Sequence, residues 1–362
     1  MAAPGPPTER IIVVPEVVAF GGAERSVLAL SRWLHATGRP HRFLCYWDRI
    51  GLGRHAVHPI VVTELAPRPS VIAKILALRR FAAGLSGSTF LMSGYQAALH
   101  GAVAGLGGFH TLMHDTPSLL GDGAHPTGLG ALRRAAATRV LRFGLRRGGR
   151  TIVTSEYLKE ESDRLYGTTA DIIRMGGHTP HVPFRPRRVE GRLRLLSVSR
   201  LEANKRIDWI LRALATCSDG LPWQLDIVGD GTAKPDMVAL AARLGLGDRV
   251  AFHGFVDDAA LSTLFDSAHL FLMPARQGYG IPAIEALDRG IPVLLHRDSG
   301  VSDILGDTPW CTVVSGGEEN LAPALARAMA AVTAGRHIGH SRPAIPTEDQ
   351  WAEAVAAACG WL

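Results

Sequence analysis

The chain has 362 residues, of which 47% are apolar and 20% charged, and its formal net charge is +6. These values exclude a disordered chain, and the length predicts two globular domains rather than one. The positive charge lies in the first half: residues 1–178 carry 21 Lys and Arg against 12 Asp and Glu, whereas the remainder carries 18 against 21. We therefore expect the first half to contact something anionic.

The first half alternates short apolar runs with helical patterns. A strand is predicted at Ile11–Val14, a glycine loop at Gly21–Gly22 and a helix at Ala23–His35. The other strands predicted here are Arg42–Trp47, Ile60–Thr63, Thr89–Met92, Thr111–Met113, Thr151–Thr154 and Asp171–Arg174. Strands that alternate with helices predict a parallel sheet with helices on both faces.

A linker and a second alternation follow. Residues 176–192 hold three prolines, three glycines and a run of charges, which is typical of a domain boundary. The strands predicted beyond it are Leu193–Val198, Gln224–Val228, Val250–His253, Leu270–Met273 and Pro292–Leu295. We therefore predict domains at 1–178 and 179–345, with a C-terminal helix in 346–362 that can pack back on the first domain.

The segment 274–300 is typical of a ligand-binding loop. A strand ends at Met273, a loop with Gly278 and Gly280 follows, and a helix begins near Ile281. The glycines allow close backbone approach, and a helix N-terminus attracts a diphosphate. Glu285, one turn into the helix, can accept hydrogen bonds from a ribose diol. The alternative is a plain strand–turn–helix connection without a ligand.

A second loop, at 197–206, carries Arg200 and Lys205 after a predicted strand. Two cations on one loop can stabilise the charge that develops on a departing nucleotide diphosphate. The alternative is a solvated basic loop.

Five motifs occur in order within residues 195–305: Ser199–Arg200–Leu201 with Lys205, Ile227–Gly231, Phe252–Phe255, Gly278–Gly280 with Glu285, and Gly290–Val293. In order and spacing they resemble the second domain of the retaining GT-B glycosyltransferases of family 4. The first domain is similar more loosely, at Gly21–Glu24, Val153–Lys159 and His114–Asp115.

The resemblance implies an α/β protein of the GT-B fold, with two Rossmann-like domains facing each other across a cleft. It implies a retaining enzyme of polysaccharide biosynthesis that moves a sugar from a UDP- or GDP-sugar to a glycan, lipid-linked or small-molecule acceptor. By the same resemblance, Arg200 and Lys205 hold the diphosphate, and Glu285 binds the ribose. The remaining donor-side positions are Gly21 and Gly22 near the pyrophosphate, Gly254 and Phe255 near the base, the Gly278–Tyr279–Gly280 backbone at the sugar or phosphate, and His114 beside the anomeric centre.

Gln277 departs from the family pattern, which has Glu at this position of an E-x7-E motif ending at Glu285. A carboxylate only accepts hydrogen bonds, whereas an amide both donates and accepts them. The change is consistent with a different donor sugar or with weakened activity. A non-catalytic GT-B protein that binds a nucleotide sugar or a partner enzyme is therefore the alternative function. Epimerisation is a third hypothesis, but it needs acid and base groups that the sequence does not show.

No cofactor or metal is predicted, because no D-x-D motif occurs and Arg200 and Lys205 can replace a cation at the diphosphate. His110 and His114 lie four apart on a predicted strand without a further ligand. The four cysteines are also far apart, as is typical of buried thiols in a reducing compartment; they are Cys45, Cys217, Cys311 and Cys359.

The stretch Arg133–Arg150 contains seven arginines, and no acidic residue lies between Asp122 and Glu156. As a helix it can lie on an anionic membrane surface, or it can bury its apolar residues in the first domain. Nothing in the sequence indicates nucleic-acid binding. No signal peptide is apparent, and no stretch approaches the ~18 apolar residues of a membrane span. We therefore expect a cytoplasmic protein, with peripheral membrane contact as one alternative.

Overall fold

The computed structural model describes residues 9–18, 20–65, 70–85, 87–114, 129–147, 149–177, 182–216, 222–306 and 308–362. The chain divides into two compact units, one formed by Met1–Gly176 with Pro346–Leu362 and the other by Gly177–Ile345. Of the residues singled out in the sequence, Asp115 and Cys217 lie outside the described ranges, as does the 178–181 part of the linker.

The first unit is built on a parallel sheet. Its described strands are β1 (Arg10–Val13), β2 (Glu16–Val17), β3 (His41–Cys45), β4 (Trp47–Asp48), β5 (Val62–Glu64), β6 (Thr89–Ser93), β7 (His110–Met113), β8 (Thr151–Val153) and β9 (Asp171–Ile172). Seven of them form one sheet in the order β5-β3-β1-β6-β7-β8-β9, and β2 pairs separately with β4. Every pairing in these sheets is parallel, as the alternation of strands and helices predicts.

The predicted strand Arg42–Trp47 is divided in the structure. β3 ends at Cys45, and Trp47 begins β4 in the small second sheet. Between them, the Tyr46 amide donates to the carbonyl of Pro15 at 2.8 Å, which directs the chain away from the main sheet.

Helices cover the sheet of the first unit. They are α1 (Gly22–Ala36), α2 (Val71–Ala83), α3 (Gly94–Val103), α4 (Leu129–Leu145), α5 (Glu156–Tyr166) and, from the end of the chain, α12 (Glu348–Ala358), with a 3-10 turn at Leu52–His55. The C-terminal helix α12 packs on α1. Its Trp351 is buried, and Arg39 of the α1–β3 turn donates to the Trp361 carbonyl at 3.0 Å.

The second unit is a single parallel sheet with its own helices. Its strands are β10 (Leu193–Val198), β11 (Trp223–Val228), β12 (Val250–Gly254), β13 (Leu270–Met273), β14 (Val293–His296) and β15 (Cys311–Val314). Its helices are α6 (Ile207–Thr216), α7 (Lys234–Arg243), α8 (Asp258–Ser267), α9 (Ile281–Asp288), α10 (Ser302–Leu305) and α11 (Leu321–Thr333), with 3-10 turns at Ala203–Lys205 and Glu318–Asn320. The predicted bounds of β10 and β13 are confirmed residue for residue.

The strand order of the second sheet determines which of its loops lie next to each other. The order is β12-β11-β10-β13-β14-β15, so the chain runs outward in one direction from β10 to β12 and in the other from β13 to β15. The change of direction falls between β10 and β13. In open parallel sheets, ligands bind beyond the carboxyl ends of the strands at such a switch point.

Candidate active site

The two loops that leave the switch point of the second unit are the two that the sequence singles out. The loop after β10 carries Arg200 and Lys205, and the loop after β13 carries Gln277, Gly278 and Gly280. Because β10 and β13 are hydrogen-bonded neighbours, both loops begin at the same edge of one sheet.

A hydrogen bond joins the side chains of the two loops. The Lys205 ammonium donates to the side-chain carbonyl oxygen Oε1 of Gln277 over 2.8 Å. Lys205 ends a 3-10 turn, and Arg206 follows with φ +56, the only positive φ of a non-glycine residue in the described ranges. A left-handed residue that is not glycine costs about 1–2 kcal/mol, so the turn that presents Lys205 is held by its surroundings.

The loop that carries Arg200 is held by backbone hydrogen bonds to the segment that begins with the Gly229–Gly231 turn after β11. The amide of Leu201 donates to the Asp230 carbonyl at 2.9 Å, and the Ala233 amide donates to the Leu201 carbonyl at 2.9 Å. Gly229 has φ +124, and a Cβ there would lie 1.9 Å from the Ser199 carbonyl oxygen. The glycine is therefore required by the backbone that passes over it.

Arg200 is exposed at the top of this loop. In the part of the chain that the structure describes, its guanidinium makes no hydrogen bond or ion pair with another side chain. A solvated guanidinium next to the Lys205 turn is suited to bidentate recognition of a phosphate.

The loop after β13 is fixed by the loop after β14. The Gln277 amide donates to the Asp298 carbonyl at 3.1 Å, and the hydroxyl of Ser299 donates to the Tyr279 carbonyl at 3.2 Å. A Cβ on Gly280 would lie 2.4 Å from Cε of Met273. The sequence does not single out Asp298, which acts through its backbone carbonyl, or Ser299, whose hydroxyl binds a backbone carbonyl, because neither residue belongs to a motif.

Helix α9 begins directly after this loop. Gly280 is its N-cap, Pro282 lies in its first turn, and no side chain caps its N-terminus. The prediction of a helix starting near Ile281 is confirmed. Glu285 lies half-buried one turn into α9. Tyr279 is only 5% exposed, so the contribution of this residue to a ligand is limited to its backbone.

Gly254 and Phe255 lie at the end of β12. The Gly254 carbonyl accepts from the Gly229 amide at 2.8 Å, which ties this position to the same turn. Phe255 is 89% exposed, an unusual state for an aromatic residue unless a ligand or partner covers it. Lys234, which pairs with Asp230 at 3.3 Å, lies beside Gly254 and is a cation that the sequence analysis does not single out.

Three predicted residues of the first unit form a separate group at the N-terminus of α1. Gly21 caps this helix, and its amide donates to Glu24 Oε2 at 3.0 Å. His114, which follows the end of β7 rather than lying on a strand, has its Nε2 3.5 Å from the hydroxyl oxygen of Ser26. That hydroxyl donates to the Gly22 carbonyl at 2.9 Å, so His114 lies beside the glycine loop.

Within the described ranges, no group of three or more His, Cys, Asp or Glu side chains is placed to hold a metal ion. His110 is engaged elsewhere, because its Nδ1 accepts a hydrogen bond from the Arg150 amide at 3.1 Å. Among the described helices, none combines the length and the apolar character needed to cross a membrane.

Two family models cover most of the chain. Residues 20–176 match the model of glycosyltransferase family 4, and residues 180–333 match that of glycosyl transferases group 1. Anabaena HepE in complex with UDP has the same fold, with a TM-score of 0.72 at 17% identity over 98% of this chain and 100% of the other. The chain therefore belongs to the glycosyltransferase families that these two models describe, one for each unit, and it has the GT-B fold. The predicted fold class is thereby confirmed, and so is the resemblance to GT-B glycosyltransferases; the retaining mechanism stays a prediction.

Curated relatives of this GT-B protein match over shorter stretches. The α-D-kanosaminyltransferase of Streptomyces kanamyceticus is 30% identical over 115 residues, which is 31% of this chain and 30% of that enzyme. The GDP-mannose-dependent α-(1-6)-phosphatidylinositol dimannoside mannosyltransferase of Mycobacterium tuberculosis is 29% identical over 167 residues, 42% of each chain. The matched regions thus span less than half the length of these relatives.

Proposed function

We propose that this protein is a retaining glycosyltransferase that transfers a sugar from a UDP- or GDP-sugar to a glycan or lipid-linked acceptor without a metal ion. The observation that carries the proposal is the hydrogen bond between Lys205 and Gln277. It brings the two loops of the switch point together, and it presents a cation at the edge of the sheet where parallel α/β proteins bind nucleotides.

In this proposal, Arg200 and Lys205 bind the diphosphate and stabilise it as it departs. The bond between the anomeric carbon and the β-phosphate oxygen breaks, and a bond forms from the acceptor hydroxyl oxygen to the same face of that carbon. The acceptor proton moves to the departing phosphate. This route needs positive charge at the phosphate and no carboxylate pair.

The other proposed roles are those that the resemblance to the family implies. Glu285 accepts hydrogen bonds from the ribose, and Gly254 with the exposed Phe255 contacts the base. The backbone of 278–280 contacts the sugar or the phosphate. In the first unit, Gly21 and Gly22 bind near the pyrophosphate, and His114 acts beside the anomeric centre.

The comparisons support the two donor classes. HepE was solved with UDP, and the mycobacterial relative is GDP-mannose-dependent. That relative also acts on a phosphatidylinositol mannoside, which supports a lipid-linked acceptor as one candidate here.

A nucleotide diphosphate is expected to raise the thermal stability of the protein whether or not Mg²⁺ is present. At ~100 times its dissociation constant, a ligand that binds only the folded state contributes about 2.7 kcal/mol. The measurement is a thermal-shift series with UDP, GDP, dTDP and ADP, each with Mg²⁺ and with EDTA. A shift that disappears in EDTA contradicts the metal-free site, and no shift with any nucleotide contradicts the donor site.

The second candidate is a non-catalytic GT-B protein that binds the nucleotide sugar or a partner enzyme. The observation that favours it is Gln277, which stands where the resembled family has Glu. Nucleotide binding without release of nucleotide diphosphate from any donor, with or without acceptor, would support this second function.

We further propose that the first unit binds an anionic membrane surface through α4. The stretch from Arg133 to Arg150 contains seven arginines, and two of them make contacts within the first unit. Arg142 donates to the Leu165 carbonyl at 2.8 Å, and Arg150 pairs with Asp171 at 3.0 Å. Among the remaining arginines whose side chains the structure describes, Arg133, Arg139, Arg146 and Arg147 are exposed.

The apolar residues of α4 are divided between core and surface. Leu141 and Leu145 are buried, whereas Leu132 is 67% exposed and Phe143 64% exposed. Arg147 lies over the Phe143 ring, 5.4 Å from its centroid. An apolar stripe flanked by exposed arginines is typical of a helix that lies in the headgroup region of a bilayer.

Two neighbouring helices extend this surface. Helix α3 packs against both α2 and α4, and α2 exposes Val71, Ile72 and Leu76. The described ranges 70–85, 87–114 and 129–147 contain no Asp or Glu. The surface therefore has the charge complementary to anionic lipid.

The double variant Arg139→Gln/Arg147→Gln is expected to bind anionic vesicles at least about tenfold more weakly, since each basic residue at such a surface contributes roughly 1 kcal/mol. Co-sedimentation with phosphatidylglycerol–phosphatidylcholine vesicles measures this effect. The matched control is Arg192→Gln/Arg243→Gln in the second unit. Equal binding of the wild type to pure phosphatidylcholine, or no binding to either vesicle, contradicts the membrane proposal.

A further inference from the structure

The Lys205–Gln277 hydrogen bond fixes which end of the Gln277 amide is available to a ligand. An ammonium group only donates hydrogen bonds, so the atom of Gln277 that lies 2.8 Å from Lys205 Nζ must be the carbonyl oxygen. If the amide group were turned around, its NH2 would face the Lys205 ammonium, and no hydrogen bond would form because both groups only donate. The orientation therefore follows from chemistry and not from the assignment of the two atoms.

The other end of the amide is then the NH2 group, which donates hydrogen bonds and accepts none. In the ranges that the structure describes, Gln277 Nε2 donates to no protein atom. The Gln277 backbone is held by Asp298 and by bridging to Ser299, so the side chain cannot easily be withdrawn. A ligand at this edge of the sheet therefore meets a hydrogen-bond donor, the NH2 group of Gln277.

A glutamate at the same position would act in the opposite sense. One carboxylate oxygen would accept from Lys205, and the other would accept from a ligand, which requires a hydroxyl proton. A ligand oxygen without a proton, in a carbonyl or carboxylate group, would meet a negative charge there. It would be rejected by Glu and bound by Gln.

We propose that Gln277 lets the site bind a donor sugar that presents a proton-free oxygen, in a carboxylate or a carbonyl, where a simple hexose has a hydroxyl; a glutamate there would repel that oxygen. This inference rests on the proposed function, since it requires a nucleotide sugar at the Lys205 loop. Gln277 is a specificity residue in it, and Lys205 sets its orientation.

The test is a calorimetric comparison of binding between the wild type and Gln277→Glu. The probes are the nucleotide diphosphate that gives the thermal shift, and its conjugates with glucose, glucuronate, N-acetylglucosamine and 4-keto-6-deoxyglucose. These sugars carry hydroxyls only, a carboxylate at C6, an amide carbonyl at C2 and a ketone at C4. We expect Gln277→Glu to weaken at least one proton-free conjugate about tenfold relative to the glucose conjugate, because the amide can donate to either kind of oxygen whereas a carboxylate can only accept from a hydroxyl.

Gln224→Glu is the matched control. Gln224 lies at the amino end of β11, where its Oε1 faces Arg192 Nη1 at 3.5 Å. This variant makes the same change of charge beside a cation at the other end of the second sheet, and the order of affinities should remain that of the wild type. A variant that merely perturbs folding would change all affinities together and leave their order intact.

Three results would overturn the inference, and they have different meanings. If Gln277→Glu leaves the ratio of affinities between the proton-free conjugates and the glucose conjugate unchanged, Gln277 does not discriminate between the sugars, although the proposed function stands. If Gln277→Glu weakens the nucleotide diphosphate as much as its conjugates, the amide donates to a phosphate. If no nucleotide diphosphate binds at all, the proposed function fails and the inference fails with it.

Discussion

Replacing Lys205 with alanine is expected to lower the transfer rate by about 10²–10³, the usual cost of removing one preorganised donor from a developing charge. Lys205 is the cation that connects the two loops of the switch point through Gln277 Oε1. Its loss removes the group that orients Gln277 and, in the proposed function, the charge that stabilises the leaving phosphate. The measurement is the release of nucleotide diphosphate from the donor identified by binding, with kcat and KM determined separately.

A matched control distinguishes this effect from a general loss of charge. Lys159→Ala removes a lysine that pairs with Asp163 at 2.5 Å on α5 of the first unit. It should retain wild-type transfer. Lys205→Arg should recover only part of the rate, because a planar guanidinium does not reproduce the position of a compact ammonium. Transfer by Lys205→Ala at the wild-type rate would show that the phosphate is bound elsewhere.

The substitution Gly229→Ala is expected to destabilise the second unit by at least about 3 kcal/mol, from a disfavoured backbone conformation and a forced displacement of packed backbone. The added Cβ would lie 1.9 Å from the Ser199 carbonyl oxygen, and φ is +124. Ser199 cannot yield without moving the loop that carries Arg200. We therefore expect nucleotide affinity to fall together with stability.

Hydrogen-exchange mass spectrometry of peptides covering 193–201 and 222–231 locates the effect. Gly247→Ala serves as the control, because a Cβ at Gly247 would meet no atom within 4 Å. It should leave exchange in these peptides unchanged. If Gly229→Ala exchanges like the control, the close approach of the two loops does not exist in solution.

Much of the fold follows from the sequence because both sheets are parallel and covered on both faces. Such strands are continuous apolar runs, and Leu193–Val198 and Leu270–Met273 are recognisable for this reason. The edge strand Cys311–Val314 is not predicted, since its two central residues are only half-buried and its apolar run is short. The division of the Arg42–Trp47 run depends on the hydrogen bond from the Tyr46 amide to the Pro15 carbonyl, and the local sequence pattern does not predict this contact.

The sequence predicts which loops form the candidate site, but it does not predict the side-chain contacts between them. Its glycines and cations stand in motifs, because close backbone approach and phosphate charge restrict the residue types. The pairing of Lys205 with Gln277 joins residues 72 positions apart and depends on the tertiary fold. The positive φ of Arg206 has no sequence signal at all, because arginine has no preference for that conformation.

The arginine-rich helix shows a similar limit. Its composition is compatible with burial of all its apolar residues or with their exposure. In the structure Leu141 is buried, whereas Leu132 and Phe143 are exposed. Which of these residues is buried depends on the rotation of α4 about its own axis where it packs on α3 and α5. Periodicity alone cannot give that rotation when apolar and basic residues are interleaved on every side of the helix.

The first unit is discontinuous in sequence, because α12 is separated from the rest of it by the whole of Gly177–Ile345. During translation, the second unit emerges as one uninterrupted segment and can fold as soon as it leaves the ribosome. The surface of α1 that α12 covers has to wait until Glu348–Ala358 is synthesised. Premature termination just before Pro346 would therefore damage the unit that is made first, and a ribosome stalled there would hold that unit unfinished although the second unit is folded.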